Sequence, residues 1–170
     1  MTDAPYKSDP LFCELVALVV NVEGGYVNDP KDPGGPTKYG ISLNYNRPEL
    51  AAIGIHDADG VQGLRREQAL QIYYSKYWLA SRANTIKDKR LAYIHFDAAV
   101  NHGVGEARLL LARSNARPTW TNVERFLEYL RQRQQLYTGD KNFARYGEGW
   151  INRLSRLIAW AIAFPLTREG

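Results

Sequence analysis

The run EGGYVNDPKDPGGPTKYGIS at residues 23–42 constrains the fold of this 170-residue chain more than any other segment. Pro30, Pro33 and Pro36 each lack a backbone donor and hold φ near −65°, and Gly34, Gly35 and Gly40 permit left-handed turns, so no helix or long strand can pass through it. The turn-rich composition continues to about residue 63, and helical periodicity resumes at Leu64. A loop of that length inside a compact domain is usually functional. A short hairpin around Gly40 to Asn46 is expected within it.

Upstream, Leu11, Leu15, Leu18 and Val22 recur at helical spacing with Phe12, Val16 and Val19 alongside. Ser8-Asp9-Pro10 supplies an N-cap and an N1 proline, and Gly24-Gly25 reads as the C-terminal cap. Glu23 comes four residues after Val19 and seven after Val16, so a helix carried to Gly24 would place this carboxylate on the apolar stripe and in the last turn. Both circumstances disfavour its ionised form, one by desolvation and one through the helix dipole. A glutamic acid held protonated near neutral pH is what general-acid chemistry needs. The plainer alternative is a glutamate that snorkels to water or caps a loop amide.

The rest of the chain is read as helical: Leu64 to about Ala80, Leu91 to His102 before Gly103, Glu106 to about Asn115, a helix opened by the Thr121-Asn-Val-Glu124 capping box and running to Gly139, and about Trp150 to Ala163 before Pro165. Strand-like alternation never exceeds a few residues. The expected class is mostly α, with five to six helices and a long functional loop after the first. No internal repeat is present, and a lobe boundary is best placed between Ser81 and Arg90, where polar residues displace the apolar pattern.

With 22 Lys+Arg against 18 Asp+Glu and a net charge of +4, the surface should attract polyanions, yet no run of five basic residues and no nucleic-acid motif occurs. No nucleic-acid partner, metal or cofactor is expected, and the chain should act as a monomer. Its single cysteine, Cys13, cannot form an internal disulfide and reads as a small packing residue. The amino terminus lacks the pattern of an ordinary secretory signal, which implies synthesis in the cytoplasm. Leu157 to Phe164 is far shorter than the roughly 20 apolar residues that span a bilayer, so stable membrane insertion is not expected.

Asp29 and Asp32 follow Glu23 by six and nine residues. Paired carboxylates across a glycosidic bond are the usual requirement for acid-catalysed hydrolysis, and their separation decides retention or inversion. Either aspartate could equally form an Asx turn before its proline neighbours. Asp57-Ala-Asp59-Gly60 lacks the remaining ligands of an EF-hand and reads as a turn. Among 11 Tyr, 4 Trp and 5 Phe, the group Tyr73, Tyr74, Tyr77 and Trp78 stands out. At α-helical spacing Tyr73 and Tyr77 share one face and Tyr74 and Trp78 another. One pair should be core, and the other, with Tyr26 and Tyr39, could meet sugar rings. Asn101 and His102, at the end of their helix, could hydrogen-bond an N-acetyl group or orient a carboxylate, or cap the helix. No nucleophile elbow, zinc motif, P-loop or dinucleotide fingerprint is present.

Taken together, Glu23-Gly-Gly-Tyr26, Asn28-Asp29-Pro30, Asp32, Gly34-Gly35, Thr37 and Gly40-Ile41-Ser42 resemble the signature of glycoside hydrolase family 108, the N-acetylmuramidases of phage endolysins and of bacterial proteins once called secretion activators. Tyr77-Trp78, the segment Phe96-Asp97 to Asn101 and Gly103, and Gly149-Trp150 with Asn152-Arg153-Leu154 extend the resemblance over nearly the whole chain. It implies a lysozyme-like helical fold with a catalytic region at 1–82 and a helical peptidoglycan-binding region at 83–170 packed on the same core. It also implies cleavage of the β-1,4 bond between N-acetylmuramic acid and N-acetylglucosamine, with Glu23 as the catalytic acid, and action on the cell wall after release. Asp29 and Asp32 are carried over as loop residues, and Tyr26, Thr37, Tyr39, Tyr77, Asn101 and His102 are candidate contacts to glycan strands. A lytic transglycosylase and a non-catalytic wall-binding protein are the competing expectations.

Overall fold

In the computed structural model, which describes residues 4–20 and 24–163, Asp9 caps the first helix, α1 (Pro10–Val19). Its carboxylate accepts a hydrogen bond from Phe12 N at 3.0 Å, and Pro10 occupies the first helical position. Phe12, Leu15, Val16 and Val19 are buried, the i, i+3, i+4, i+7 stripe of an amphipathic helix. That phase differs from the expected one. It turns Leu18 outward and leaves Cys13 exposed rather than packed.

The end of α1 also departs from expectation. The helix stops at Val19, and Val20 is extended at φ −128°, ψ 147°, so it does not continue to Gly24-Gly25. The adjacent β-branched residues Val19 and Val20 are stiff at χ1 and weaken helix propagation where it would have to carry on. Glu23 itself lies outside the described residues.

By its internal contacts the chain divides into two units, Met1–Ala80 and Ser81–Gly170. In the first, β1 (Thr37–Lys38) and β2 (Ile41–Ser42) form an antiparallel hairpin, Thr37 opposite Ser42 and Lys38 opposite Ile41. Tyr39 and Gly40 both have positive φ, at 52° and 75°, which is the demand of a two-residue type I′ turn. The hairpin thus sits a few residues earlier than expected. Two short helices, α2 (Arg47–Ala51) and α3 (Ala58–Gln62), interrupt the remaining loop. Asp57 caps α3 through Gly60 N at 2.8 Å, so the Asp57-Ala-Asp59-Gly60 segment is a helix start and not a simple turn. These two elements raise the α-helix count among the described residues to eight. Next comes α4 (Arg66–Ile72), which continues into a π-helical segment, Tyr73–Leu79.

In the second unit, α5 (Lys89–His102) begins at the Asp88 cap, with Leu91 N donating at 3.0 Å, and ends at Gly103. Every residue from Leu91 to Ala99 is buried, because α5 is surrounded by α6 (Val104–Ser114), α7 (Asn122–Thr138) and α8 (Phe143–Ala163). The expected capping box opens α7: Glu124 N donates to Thr121 Oγ1 at 3.2 Å, and Thr121 N donates to Glu124 Oε2 at 2.7 Å. Helix α8 begins well before the expected Trp150. Gly147 lies inside it because a Cβ there would approach the Phe143 ring to 2.8 Å, so this glycine answers a packing need and does not break the helix. Among the described residues, no helix is long and apolar enough to cross a membrane.

Candidate functional site

The backbone immediately after Glu23 is fastened to the hairpin. Tyr39 N donates to Gly24 O at 3.3 Å, and Val27 and Thr37 exchange both backbone bonds at 2.8 Å. Residues 24–27 therefore run antiparallel beside 37–39. Tyr26, Thr37 and Tyr39 lie on these paired segments, each half-buried. Thr37 Oγ1 donates to Gly35 O at 2.8 Å, and Lys38 Nζ lies 5.2 Å from the centre of the Tyr39 ring.

Asp29 and Asp32 are exposed and build consecutive turns. Lys31 N donates to Asp29 Oδ1 at 2.9 Å, and Gly34 N donates to Asp32 Oδ1 at 2.8 Å. Each carboxylate keeps its second oxygen for other work. The Asp32 bond is partly shielded from solvent and the Asp29 bond is not.

The aromatic group divides differently from the α-helical expectation that only one pair would be core. Trp78 and Tyr73 are both buried, at 0% and 2% exposure, while Tyr74 and Tyr77 are half-buried. The faces themselves pair as the i, i+4 spacing places them, Tyr74 with Trp78 and Tyr73 with Tyr77, and each face contributes one buried ring. On one flank Phe12 meets Tyr74 at 5.0 Å and Trp78 at 5.9 Å, and Trp78 Nε1 donates to Asp9 Oδ2 at 2.7 Å. On the other, Tyr73 Oη donates to Tyr39 O at 3.1 Å and Tyr77 Oη to Asn46 Oδ1 at 3.1 Å. Burial, with Glu49 nearby, pushes the Tyr77 phenol up to about 12, so it remains a neutral donor at ordinary pH.

Lys76, Tyr45, Asn46 and Glu49, none of them a site residue in the sequence analysis, complete this flank. Lys76 Nζ donates to Tyr45 O at 2.6 Å, to Glu49 Oε2 at 3.0 Å and to the buried Asn46 Oδ1 at 3.1 Å. This lysine belongs to the helical pattern from Leu64, but a chain pattern does not show that its ammonium anchors a loop about thirty residues away.

Asn101 and His102 belong to the second unit, where they line a cavity of about 380 Å³ with Glu106, Leu136, Tyr137, Asp140 and Trp150. Asn101 Nδ2 donates to Asp97 O at 2.6 Å, the helix-capping alternative. His102 packs its ring 5.0 Å from Tyr137, which in turn stacks on Trp150 at 5.1 Å and 18°. Burial, followed by the nearby Arg133 charge, lowers the His102 pKa to about 4, so the ring is neutral near pH 7. Next to the cavity residues, the buried carboxylate of Asp97 binds Arg133 Nη1 at 2.6 Å and Arg153 Nη2 at 2.7 Å, and Arg133 Nη2 donates to Tyr137 Oη at 2.8 Å. Trp150 was visible in the sequence only through the family-like segment around it; Tyr137, Glu106 and Asp140 carried no signal.

The family model for glycosyl hydrolase 108 matches residues 16–103. The structure of SagA from Brucella abortus is similar to this chain over 94% of either chain, with a TM-score of 0.70 and 26% sequence identity. No curated protein matches.

Proposed function

We propose, from the premise that the chain belongs to the glycosyl hydrolase 108 family, that this lysozyme-like peptidoglycan hydrolase is an N-acetylmuramidase. It cleaves the β-1,4 bond between N-acetylmuramic acid and N-acetylglucosamine, with Glu23 as the general acid. The observation that carries the reading is the pairing that starts on Gly24, the residue directly after Glu23, and ties this segment, with Tyr26 on it, to the hairpin bearing Thr37 and Tyr39. A general acid gains its effect only when its backbone is held in place against the substrate.

In this reading the protonated Glu23 carboxyl passes its proton to the bridging oxygen as the glycosidic bond breaks, and a carboxylate supports the oxocarbenium-like charge until water adds. Asp32 is assigned that second role ahead of Asp29, because its turn bond is the better shielded of the two and fixes it more firmly. Tyr26, Thr37, Tyr39 and Tyr77 contact the glycan strand from residues 1–82, the catalytic region. Residues 83–170, with Asn101 and His102, form the peptidoglycan-binding region.

Digestion of purified sacculi tests the proposal. Glu23→Gln should lower the rate by about 10²- to 10⁴-fold with helical circular dichroism and thermal unfolding unchanged. Mass spectrometry should find reducing muramic acid ends in the wild-type products. Full activity in the variant removes Glu23 from the reaction, and 1,6-anhydro ends make the enzyme a lytic transglycosylase.

A further inference from the structure

The cavity lined by Asn101, His102, Glu106, Tyr137, Asp140 and Trp150 lies wholly within the Ser81–Gly170 unit, and its polar lining is weighted toward acceptors. Both charged residues of the lining are carboxylates, Glu106 in the first turn of α6 and Asp140 just after α7. Among the described residues neither has an ion-pair partner, although the protein as a whole is basic at +4. Two arginines of this unit, Arg133 and Arg153, are committed to Asp97. Asp140 spends only Oδ1, on Asn142 N at 2.7 Å. Asn101 has used an amide hydrogen on Asp97 O, which leaves its carbonyl oxygen. His102 adds a buried Nε2 with no hydrogen-bond partner, and a neutral ring can present that nitrogen as an acceptor. One face of Trp150 is already covered by Tyr137, so an open stacking platform for a sugar ring is not the main feature of this wall.

A surplus of acceptors, two of them anionic, complements a group that has only donors and carries positive charge. We propose that this cavity binds a primary ammonium group carried by peptidoglycan, with Glu106 and Asp140 as its counter-charges and Leu136, Tyr137 and Trp150 against the adjoining carbon chain. The inference rests on the reading of the chain as a peptidoglycan hydrolase, and adds which feature of the wall this unit recognises. Two parts of peptidoglycan can supply such a group: the side-chain amine of a diamino acid in the peptide stem, and the amine of a de-N-acetylated hexosamine.

Calorimetric titration of the full chain separates these sources with four probes: a disaccharide-tripeptide with a free diamino-acid amine, the same muropeptide acetylated at that amine, chitobiose, and its fully de-acetylated counterpart. The free-amine muropeptide, the de-acetylated disaccharide or both should bind, and the matching acetylated probe should bind at least tenfold more weakly. Glu106→Gln or Asp140→Asn should each weaken binding of the amine probe about tenfold, the loss of one charge-assisted contact, with thermal unfolding unchanged. Added salt should weaken it as well. Equal affinity for free and acetylated probes, wild-type affinity in both variants, or no binding of either amine probe at millimolar concentration overturns the proposal. Digestion of sacculi by the same preparation keeps the two readings apart: activity without amine binding removes only the cavity assignment, and amine binding without activity removes the hydrolase reading.

Discussion

Tyr73 donates its hydroxyl to the backbone carbonyl of Tyr39 at 3.1 Å, across 34 residues of sequence. The bond holds the hairpin tip against the π-helical segment and leaves no room at the next residue: a Cβ on Gly40 would stand 2.5 Å from that hydroxyl oxygen, at a φ of +75°. Gly40→Ala should therefore cost about 1–3 kcal/mol through left-handed strain and overlap. Tyr73→Phe, which removes the oxygen, should cost about 1 kcal/mol alone. Combined, they should cost less than their sum by at least about 0.5 kcal/mol in urea unfolding. Strict additivity would assign the whole effect of Gly40→Ala to backbone strain.

Asp97 is 2% exposed and Arg133 is fully buried, so their pairing is not screened by water. Asp97→Asn leaves Arg133 and Arg153 facing a neutral amide and should destabilise the second unit by about 3–5 kcal/mol. Asp97→Leu joined with Arg133→Met removes the fully buried pair together, leaving only the partly solvated Arg153 charge, and should cost less than Asp97→Asn. Chemical unfolding followed by tryptophan fluorescence ranks the two, and the reverse order would mean that the pair itself, and not the uncompensated charge, governs stability.

His102 makes stability depend on acid. Its pKa is about 4 in the folded protein, against 6.5 ordinarily. Between those values the unfolded chain takes up a proton that the folded one refuses, so stability is complete above about pH 6.5 and falls as the pH drops toward 4. His95, buried and shifted in the same direction, adds to the slope. Thermal midpoints measured from pH 7.5 to 4 should decline over this window, and His102→Gln should flatten the decline.

The two roles of Asp32 can be separated by one atom type. Asn at this position still accepts from Gly34 N and preserves the turn, but carries no charge. If Asp32 supports the developing positive charge, Asp32→Asn should lose about 10²-fold or more in sacculus digestion while unfolding at the wild-type temperature. Asp29→Asn should stay within about threefold. Near-wild-type activity in Asp32→Asn, with a loss in Asp32→Ala, would reduce the residue to a turn former.

The helices that could be read in the sequence are those with both a cap and a periodic face. Asp9-Pro10 and the reciprocal Thr121 and Glu124 pair sit where their side chains predict, whereas the Asp88 cap of α5 went unread. Gly103 ends α5, but Gly147 and Gly149 lie inside α8, because a glycine marks either a chain reversal or a close approach and the sequence does not distinguish them. The end of α1 was not legible because the strong turn signal of Gly24-Gly25 masked the weaker β-branched one of Val19 and Val20, and the π turn was not because its residues follow an ordinary helical pattern. For the candidate site, the turn chemistry around Asp29 and Asp32 was visible as one of two alternatives. The anchoring of the loop by Lys76 and Asn46 was not, because it joins residues 30 positions apart.

The π-helical segment carries a consequence for how this chain tolerates change in length. Deleting one residue between Tyr73 and Leu79 would let the α-helical repeat resume and swing everything after the cut by about 100° relative to what precedes it. Tyr73 could then keep Tyr39 only if Trp78 released Asp9, or the reverse. The surplus residue is thus a spacer that lets one rod grip two neighbours at once. Natural variants should accept substitutions along this stretch far more readily than the loss of any one position.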